Sequence, residues 1–291
     1  MIIKVPCSTS NLGPGFDCLG LSLDIYNLFS VEVSDEFLIT GCEERFANSD
    51  NLFLEAYRQT FSREPIPIHV HFDCDIPVSR GLGSSSTLTV GGLVAGYLIQ
   101  KKPLNGKELL RLATSIEHHP DNAAPCLFGG LCAGKMSQED VQVYKLPLSN
   151  SFVFTIVVPD YEVSTQKARS VLPDSYSREI LVQSTSSAIL LTYALESGNL
   201  ELLKDVSKDQ IHTPYRKELI KDYGLLDSLS NALSSAFFIS GSGSTCMFVS
   251  KESIVNQLKD KLPASWRIQE VHPTLSGVMI KEDTKWQTIT Y

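Results

Sequence analysis

No Gly-Lys-Ser or Gly-Lys-Thr step occurs in the 291 residues, which excludes a Walker-type phosphate loop. The seven cysteines, at 7, 18, 42, 74, 126, 132 and 246, form neither a Cys-x-x-Cys pair nor a regular framework. Structural zinc and a disulfide scaffold are therefore disfavoured, and the cysteines read as reduced, buried thiols. Basic residues are in deficit, and a net charge of −8 argues against nucleic-acid binding, whose footprint would be a basic face. The longest apolar stretch, LTVGGLVAGYLI, is too short to span a bilayer, so no membrane partner is expected. The opening MIIKVPCSTS lacks the apolar core of a signal peptide, and a cytoplasmic location is the expectation. Repeats and low-complexity linkers are missing as well. What is plentiful is apolar content, at 43%, enough to bury a full core in two intimately joined lobes.

Residues 77 to 92, PVSRGLGSSSTLTVGG, follow the strand-like IPIHVHFDCDI and lead into a smooth apolar run that reads as a helix. Pro77 ends the strand. Gly81 and Gly83 give backbone freedom, and Ser84, Ser85 and Ser86 add hydroxyl donors at the positive end of a helix dipole. Strand, glycine-rich loop and helix make a place for phosphate, although a tight turn before an amphipathic helix explains the same string. Arg80 precedes the glycines, so charge neutralisation has to come from Mg²⁺ or from arginines on the substrate side. In HVHFDCD, alternation sets Ile68, Val70 and Phe72 on one strand face and His69, His71 and Asp73 on the other; a solvated face is the default over a metal site.

Three other segments concentrate polar groups around irregular backbone. PCSTSNLGPGFDCLGLSLDIYN is an apolar strand broken by Gly13, Pro14 and Gly15, bracketed by Asn11 and Asp17, which either read a ligand or make Asx turns. SIEHHPDNAAPCLFGGL ends a helix at Pro120 and leaves Glu117, His118, His119, Asp121 and Asn122 at its edge; a solvated helix end is the plainer reading. AFFISGSGSTCMFV is two strands around a Gly-Ser turn, either a second loop of backbone donors or a plain hairpin.

VPCSTSNLGPGFDCLG, PVSRGLGSSST, EHHPDNAAPCLFGG and SGSGST, in this order and spacing, resemble the motifs of the GHMP kinase superfamily and, within it, the homoserine kinase family. The resemblance runs nearly the whole chain. VSTQKAR at 163 to 169 and TPYR at 213 to 216 are similar to the family's two arginine-bearing substrate elements. Thr87 and Ser244 depart from it, standing where Ala and Pro are common. The resemblance implies transfer of the γ-phosphoryl group of ATP to the side-chain hydroxyl of L-homoserine, in threonine biosynthesis. ATP would lie on the loop of Pro77, Ser79, Arg80, Gly81, Leu82, Gly83, Ser84, Ser85 and Ser86, with Asn51 near the adenine. Mg²⁺ would be held by Glu117 and Ser85, with Ser84 an alternative. Homoserine would meet Asn11, Asp17, His119, Asp121, Thr165, Arg169 and Arg216, the two arginines clamping its carboxylate and Asp17 its ammonium. Asn122, Glu117 and Arg169 form the catalytic set, Asn122 touching the attacking hydroxyl. Whether a protein base or the γ-phosphate takes the proton stays open, as does whether the chain works alone or as a homodimer. The alternatives are another GHMP small-molecule kinase and a non-catalytic small-molecule-binding protein of the same fold.

Strands are expected near 2 to 6, 19 to 34, 66 to 76, 131 to 136 and 152 to 159, with helices near 52 to 61, 84 to 100 and 105 to 118. Asn105 and Glu108 make a capping box for the last of these, with Leu109, Leu112, Ala113 and Ile116 on one stripe. After Pro159, helices near 164 to 172, 178 to 197, 199 to 207 and 222 to 234 precede strands near 236 to 240, 245 to 250, 266 to 272 and 275 to 281, with a helix over 251 to 262. The mixed order predicts an α+β fold. The expected lobes are 1 to 150, binding ATP, and 151 to 291. For the GHMP kinase fold the resemblance implies a left-handed βαβ crossover in the first lobe and a ferredoxin-like second lobe.

Overall fold

The computed structural model describes residues 1–137, 140–281 and 285–289. The chain opens on a long antiparallel hairpin, β1 (Ile2–Asn11) and β2 (Gly15–Val33), continued by β3 (Leu38–Thr40), α1 (Leu52–Gln59), β4 (Ile68–Cys74), α2 (Ser84–Ile99), α3 (Gly106–Glu117), α4 (Pro120–Phe128), β5 (Leu131–Met136) and β6 (Val141–Leu146). These strands form one sheet in the order β3, β4, β2, β1, with β5 attached to β2 and β6 to β5. The β3 and β4 pair is parallel, so the connection through α1 is a βαβ crossover, and the other pairings of this sheet are antiparallel. Helices α1 to α4 cover its apolar face, where Phe29, Phe53, Tyr57, Phe72, Leu93 and Leu109 are fully or almost fully buried.

The second sheet is built from β7 (Val153–Val158), β8 (Ala236–Ile239), β9 (Cys246–Ser250) and β10 (Arg267–Val271). Between β7 and β8 lie α5 (Thr165–Ser170), α6 (Arg178–Ser197), α7 (Leu200–Val206), α8 (Thr213–Arg216) and α9 (Tyr223–Ala232); α10 (Val255–Lys259) links β9 to β10. The order β10, β7, β9, β8, antiparallel throughout, is the arrangement of a split βαβ unit and agrees with the ferredoxin-like expectation. The chain then returns to the first sheet: β11 (Met279–Lys281) pairs with β1, and β12 (Trp286–Thr288) with β11. A shared core joins the two halves, with Cys7, Leu12 and Leu21 packed among Phe154, Ile156, Phe238 and Met247. Among the described residues no helix is long and apolar enough to cross a membrane.

The differences from expectation have local causes. β1 continues to Asn11 through residues that look polar in sequence, because Ser8, Thr9 and Ser10 are buried between the two lobes. The segment expected to follow a helix end is itself a helix: His118 closes α3 with φ 67, His119 is extended, and Pro120 begins α4 at a position where its missing N–H costs nothing. β3, α8 and β12 are elements of three or four residues that hydrophobic periodicity does not reveal, whereas β6, where buried Val141 and Val143 alternate with exposed Gln142 and Tyr144, carries the pattern but is not among the expected strands. Cys18 and Cys74 are exposed, so the expectation of buried thiols holds for Cys7, Cys126, Cys132 and Cys246 only. The His69 and His71 face does carry solvated polar groups; both rings hydrogen-bond Thr40 Oγ1.

Candidate active site

β4 ends short of the glycine-rich loop, and α2 starts directly after it with Gly83 as the N-terminal cap at φ 66. Gly81 also has positive φ, and a Cβ there would collide with the Ser240 carbonyl; one at Gly83 would collide with Ser8 Oγ. The loop's carbonyls are tied backwards. Gly81 O accepts from Ser240 Oγ at 2.6 Å, Arg80 O from Thr245 N at 3.1 Å and Leu82 O from Ser8 N at 3.2 Å. With those oxygens turned away, the first N–H groups of α2, which have no carbonyl one turn earlier, face the cavity side. The SGSGST loop joining β8 to β9 is a hairpin turn in which the N–H groups of Ser240, Gly241, Gly243 and Thr245 donate to protein carbonyls, while Gly241 and Ser242 line the cavity in front of the glycine-rich loop.

A cavity of about 460 Å³ opens in front of this loop. At one end it is lined by Ser79, Arg80, Gly81, Gly83, Ser84 and Ser85, and Glu117 reaches it from the end of α3. Glu117 Oε2 accepts from Ser85 Oγ at 3.3 Å and Ser86 Oγ at 2.9 Å, and Oε1 from Thr89 Oγ1 at 2.8 Å. Pro77, Leu82 and Ser86, expected in the nucleotide set, do not line the cavity; Leu82 is buried in the core shared by the two lobes and Ser86 is turned to Glu117. Arg80 lines it, but its guanidinium donates to the carbonyls of Val78, Pro159 and Asp160 and so anchors the loop to the second lobe. Thr87 uses the hydroxyl that Ala would lack to donate to Ser84 O and to accept from Asn27, which leaves no buried donor unpaired.

Arg45, Phe46, Asn48 and Asp50 line the cavity beside Asn51, whose side chain caps α1 by accepting from Phe53 N at 2.9 Å. Sequence reasoning overlooked Arg45 and Phe46, because the loop before α1 has no periodic pattern and no motif.

The other expected residues meet at the far end. Arg169 grips Asp17 through two parallel bonds of 3.1 and 2.8 Å, pairing residues expected to serve opposite ends of a substrate. Arg216 is only 2% exposed; it donates Nε to Ala168 O and Nη1 to Gly241 O, and lies 5.2 Å over the Phe16 ring. Burial and the nearby Arg169 push its pKa down to about 10, so it stays charged at neutral pH. Asn11 Nδ2 donates to the same Gly241 O, and its Oδ1 accepts from Asp17 N. His119 hydrogen-bonds Asp121. Burial pulls its pKa down, but the Asp121 bond and charge outweigh that and raise it from the ordinary value. Asn122 is held on both sides, accepting from Ser8 Oγ at 2.8 Å and donating to Ser10 Oγ at 2.9 Å. Ser8 and Ser10 were not singled out in the sequence; the strand continuation that buries them was the missing signal. Thr165 closes the rim, 3.5 Å from Ser242 Oγ.

Two kinds of cation site compete here. Ligand atoms of Asp17, His119 and Asp121 lie within 4.8 Å of one another, yet Arg169 already covers the Asp17 carboxylate. The Glu117 end offers only carboxylate and hydroxyl oxygens beside a helix N-terminus, a donor set suited to a hard cation shared with phosphate.

The model of the GHMP kinases N terminal domain matches residues 51–130. The chain is 36% identical to the homoserine kinase of Clostridium botulinum (strain Kyoto / Type A2) over 96% of its own length and 97% of that relative. It is also 36% identical to that of Clostridium beijerinckii, over 97% and 99%. The crystal structure of homoserine kinase from Cytophaga hutchinsonii superposes with a TM-score of 0.85 at 26% identity, covering 96% of both chains. A mevalonate kinase structure, at 15% identity and a TM-score of 0.69, shares the fold.

Proposed function

The chain belongs to the homoserine kinases of the GHMP kinase superfamily, and from that premise we propose that its cavity binds L-homoserine between Asp17, Arg169 and Arg216 and ATP along the loop from Ser79 to Ser85. The observation that carries the substrate reading is Arg216. A guanidinium this deeply buried, with no carboxylate partner in salt-bridge range among the described residues, is costly unless an anion completes it. The carboxylate of an amino acid bridging Arg216 and Arg169 supplies that anion, and its ammonium joins Asp17, with Asn11, His119 and Asp121 around it. Thr165 borders the same end.

The side-chain hydroxyl then points toward Asn122, whose amide is held by Ser8 and Ser10 and therefore presents a fixed donor. The hydroxyl oxygen forms a bond to the γ-phosphorus of ATP as the bond from that phosphorus to the β-phosphate bridging oxygen breaks, and the hydroxyl proton is released. Each carboxylate at the site already accepts from protein: Asp17 from Arg169, Asp121 from His119 and Asn122, Glu117 from three hydroxyls. That supports transfer without a dedicated base, the γ-phosphate taking the proton. Positioning and electrostatics provide most of the acceleration in such reactions. Glu117 and Ser85 would hold Mg²⁺, with Ser84 the alternative hydroxyl; when bound, the ion supplies charge neutralisation across the β- and γ-phosphates. Asn51, with Arg45 and Phe46, borders the adenine. A homodimer is the assembly supported by the apolar outer face of α6.

Coupled ADP release measured against homoserine, mevalonate, shikimate and sugars tests the assignment. Turnover is expected on homoserine; strong turnover on another acceptor with none on homoserine would replace it with a different GHMP kinase activity.

A further inference from the structure

Resting on the homoserine reading above, we propose that His212 is a positioning residue for the amino-acid substrate, locking the loop that carries Asn11 and Asp17 to the turn that carries Arg216. His212 is fully buried, and its Nε2 lies 3.0 Å from the Gly13 carbonyl oxygen, its nearest acceptor, and 3.5 Å from Asp209 Oδ2. A carbonyl only accepts, so Nε2 bears the proton. Nδ1 is buried with no partner, which fits a neutral ring with that single tautomer.

Both things joined by this bond need outside support. The loop 11 to 17 places three non-glycine residues at positive φ, with Asn11 at 70°, Leu12 at 48° and Asp17 at 56°. Such backbone persists only where its surroundings over-determine it. One anchor is Asn11, tied to Gly241. The tip of the loop has another in His212, and Gly13 fits so closely against Ser207 that a Cβ would lie 2.7 Å from its carbonyl oxygen.

On the other side, the buried Asp209 carboxylate accepts from the N–H groups of Ile211, His212 and Thr213 at 2.9, 2.8 and 2.6 Å. These bonds fix the turn into α8, which is only four residues long and ends on Arg216. The imidazole also stacks on Phe16 at 5.5 Å, and Phe16 lies beneath the guanidiniums of both Arg169 and Arg216. One ring therefore sets the spacing between Asp17 and Arg216, the two groups that would hold opposite charges of a zwitterion. The phosphate loop is held by Ser240, Thr245 and Ser8 instead.

Steady-state kinetics of His212→Met and His212→Gln test this. The Met variant keeps volume and loses the donor; its kcat/KM for homoserine should fall about tenfold to a hundredfold, chiefly through KM, since misplacing binding groups by about 1 Å can cost up to about a hundredfold. Its KM for ATP should stay within about twofold of the unmodified protein. The Gln variant, with an amide N–H able to reach Gly13 O, should recover most of the loss. Unchanged homoserine kinetics in the Met variant, equal losses for both substrates, or no rescue by Gln would overturn the proposal. If the Met variant does not fold, nitrogen-15 NMR of the unmodified protein at neutral pH decides: an Nδ1–H tautomer or an imidazolium at His212 refutes the bond. Absence of homoserine turnover by the unmodified protein would instead sink the substrate assignment, and the tautomer measurement would still judge the clamp.

Discussion

Arg216 holds a full positive charge where water barely reaches it, and only two of its donors are spoken for by backbone carbonyls. Charge-assisted hydrogen bonds to a carboxylate are worth roughly 1.5–3 kcal/mol, about tenfold to a hundredfold in affinity. Arg216→Ala should therefore raise the KM for homoserine by about that factor with little change in the KM for ATP, and Arg216→Lys should recover only part of it, lacking the planar fork. Equal weakening toward both substrates would contradict the carboxylate role. Individual residues of this end were legible because each sits in a short motif that needs no tertiary information. Their pairing was not: Asp17 and Arg169 are 152 positions apart, and nothing local in either segment shows that the carboxylate meets the guanidinium. His212 escaped notice for a related reason, since a lone histidine ahead of the Thr213–Pro214 step has no pattern that announces a contact with Gly13.

Where α3 ends and α2 begins, two helix termini with opposite partial charges face each other across Glu117. A carboxylate in the last turn of a helix is opposed by its own dipole, and here it is also near the positive start of α2. Hydroxyls of Ser85, Ser86 and Thr89 hold it in place, so its orientation is set before any cation arrives. Glu117→Gln removes the charge and keeps the shape; kcat should fall by about two orders of magnitude, the scale of losing one preorganised electrostatic group. The Mg²⁺ concentration giving half-maximal rate should rise as well. Normal activity with unchanged Mg²⁺ dependence would remove Glu117 from the metal role. At this scale α3 was readable from the Asn105 cap, whose side chain does accept from Glu108 N at 3.1 Å. α4 was not, because Pro120 and Pro125 look like breakers. Pro120 is tolerated at the first helical position, and Pro125 within the helix is buried against Gly20 of β2, where tertiary packing outweighs propensity.

Across the whole molecule, the mixed α+β character followed from the succession of elements, but the return of β11 to β1 did not, since strand pairing over more than 270 residues leaves no local trace. The same limit applies to assembly. Apolar residues on the outside of α6 read as ordinary helix periodicity, yet Leu181, Val182, Ile189 and Tyr193 are between 58% and 64% exposed. An exposed apolar patch of this kind is the sort of surface at which proteins meet partners. The helix has 20 residues, about 30 Å of length at 1.5 Å per residue. Packed antiparallel on its own copy about a two-fold axis, it presents the same surface to itself, which is what a closed isologous dimer requires. Sedimentation at micromolar concentration should give a dimer, and Val182→Glu with Ile189→Glu should give a monomer with unchanged helical circular dichroism and kcat, because neither residue lines the cavity. A monomer from the unmodified chain, or a dimer that survives both charges, would place the apolar face of α6 outside any self-association.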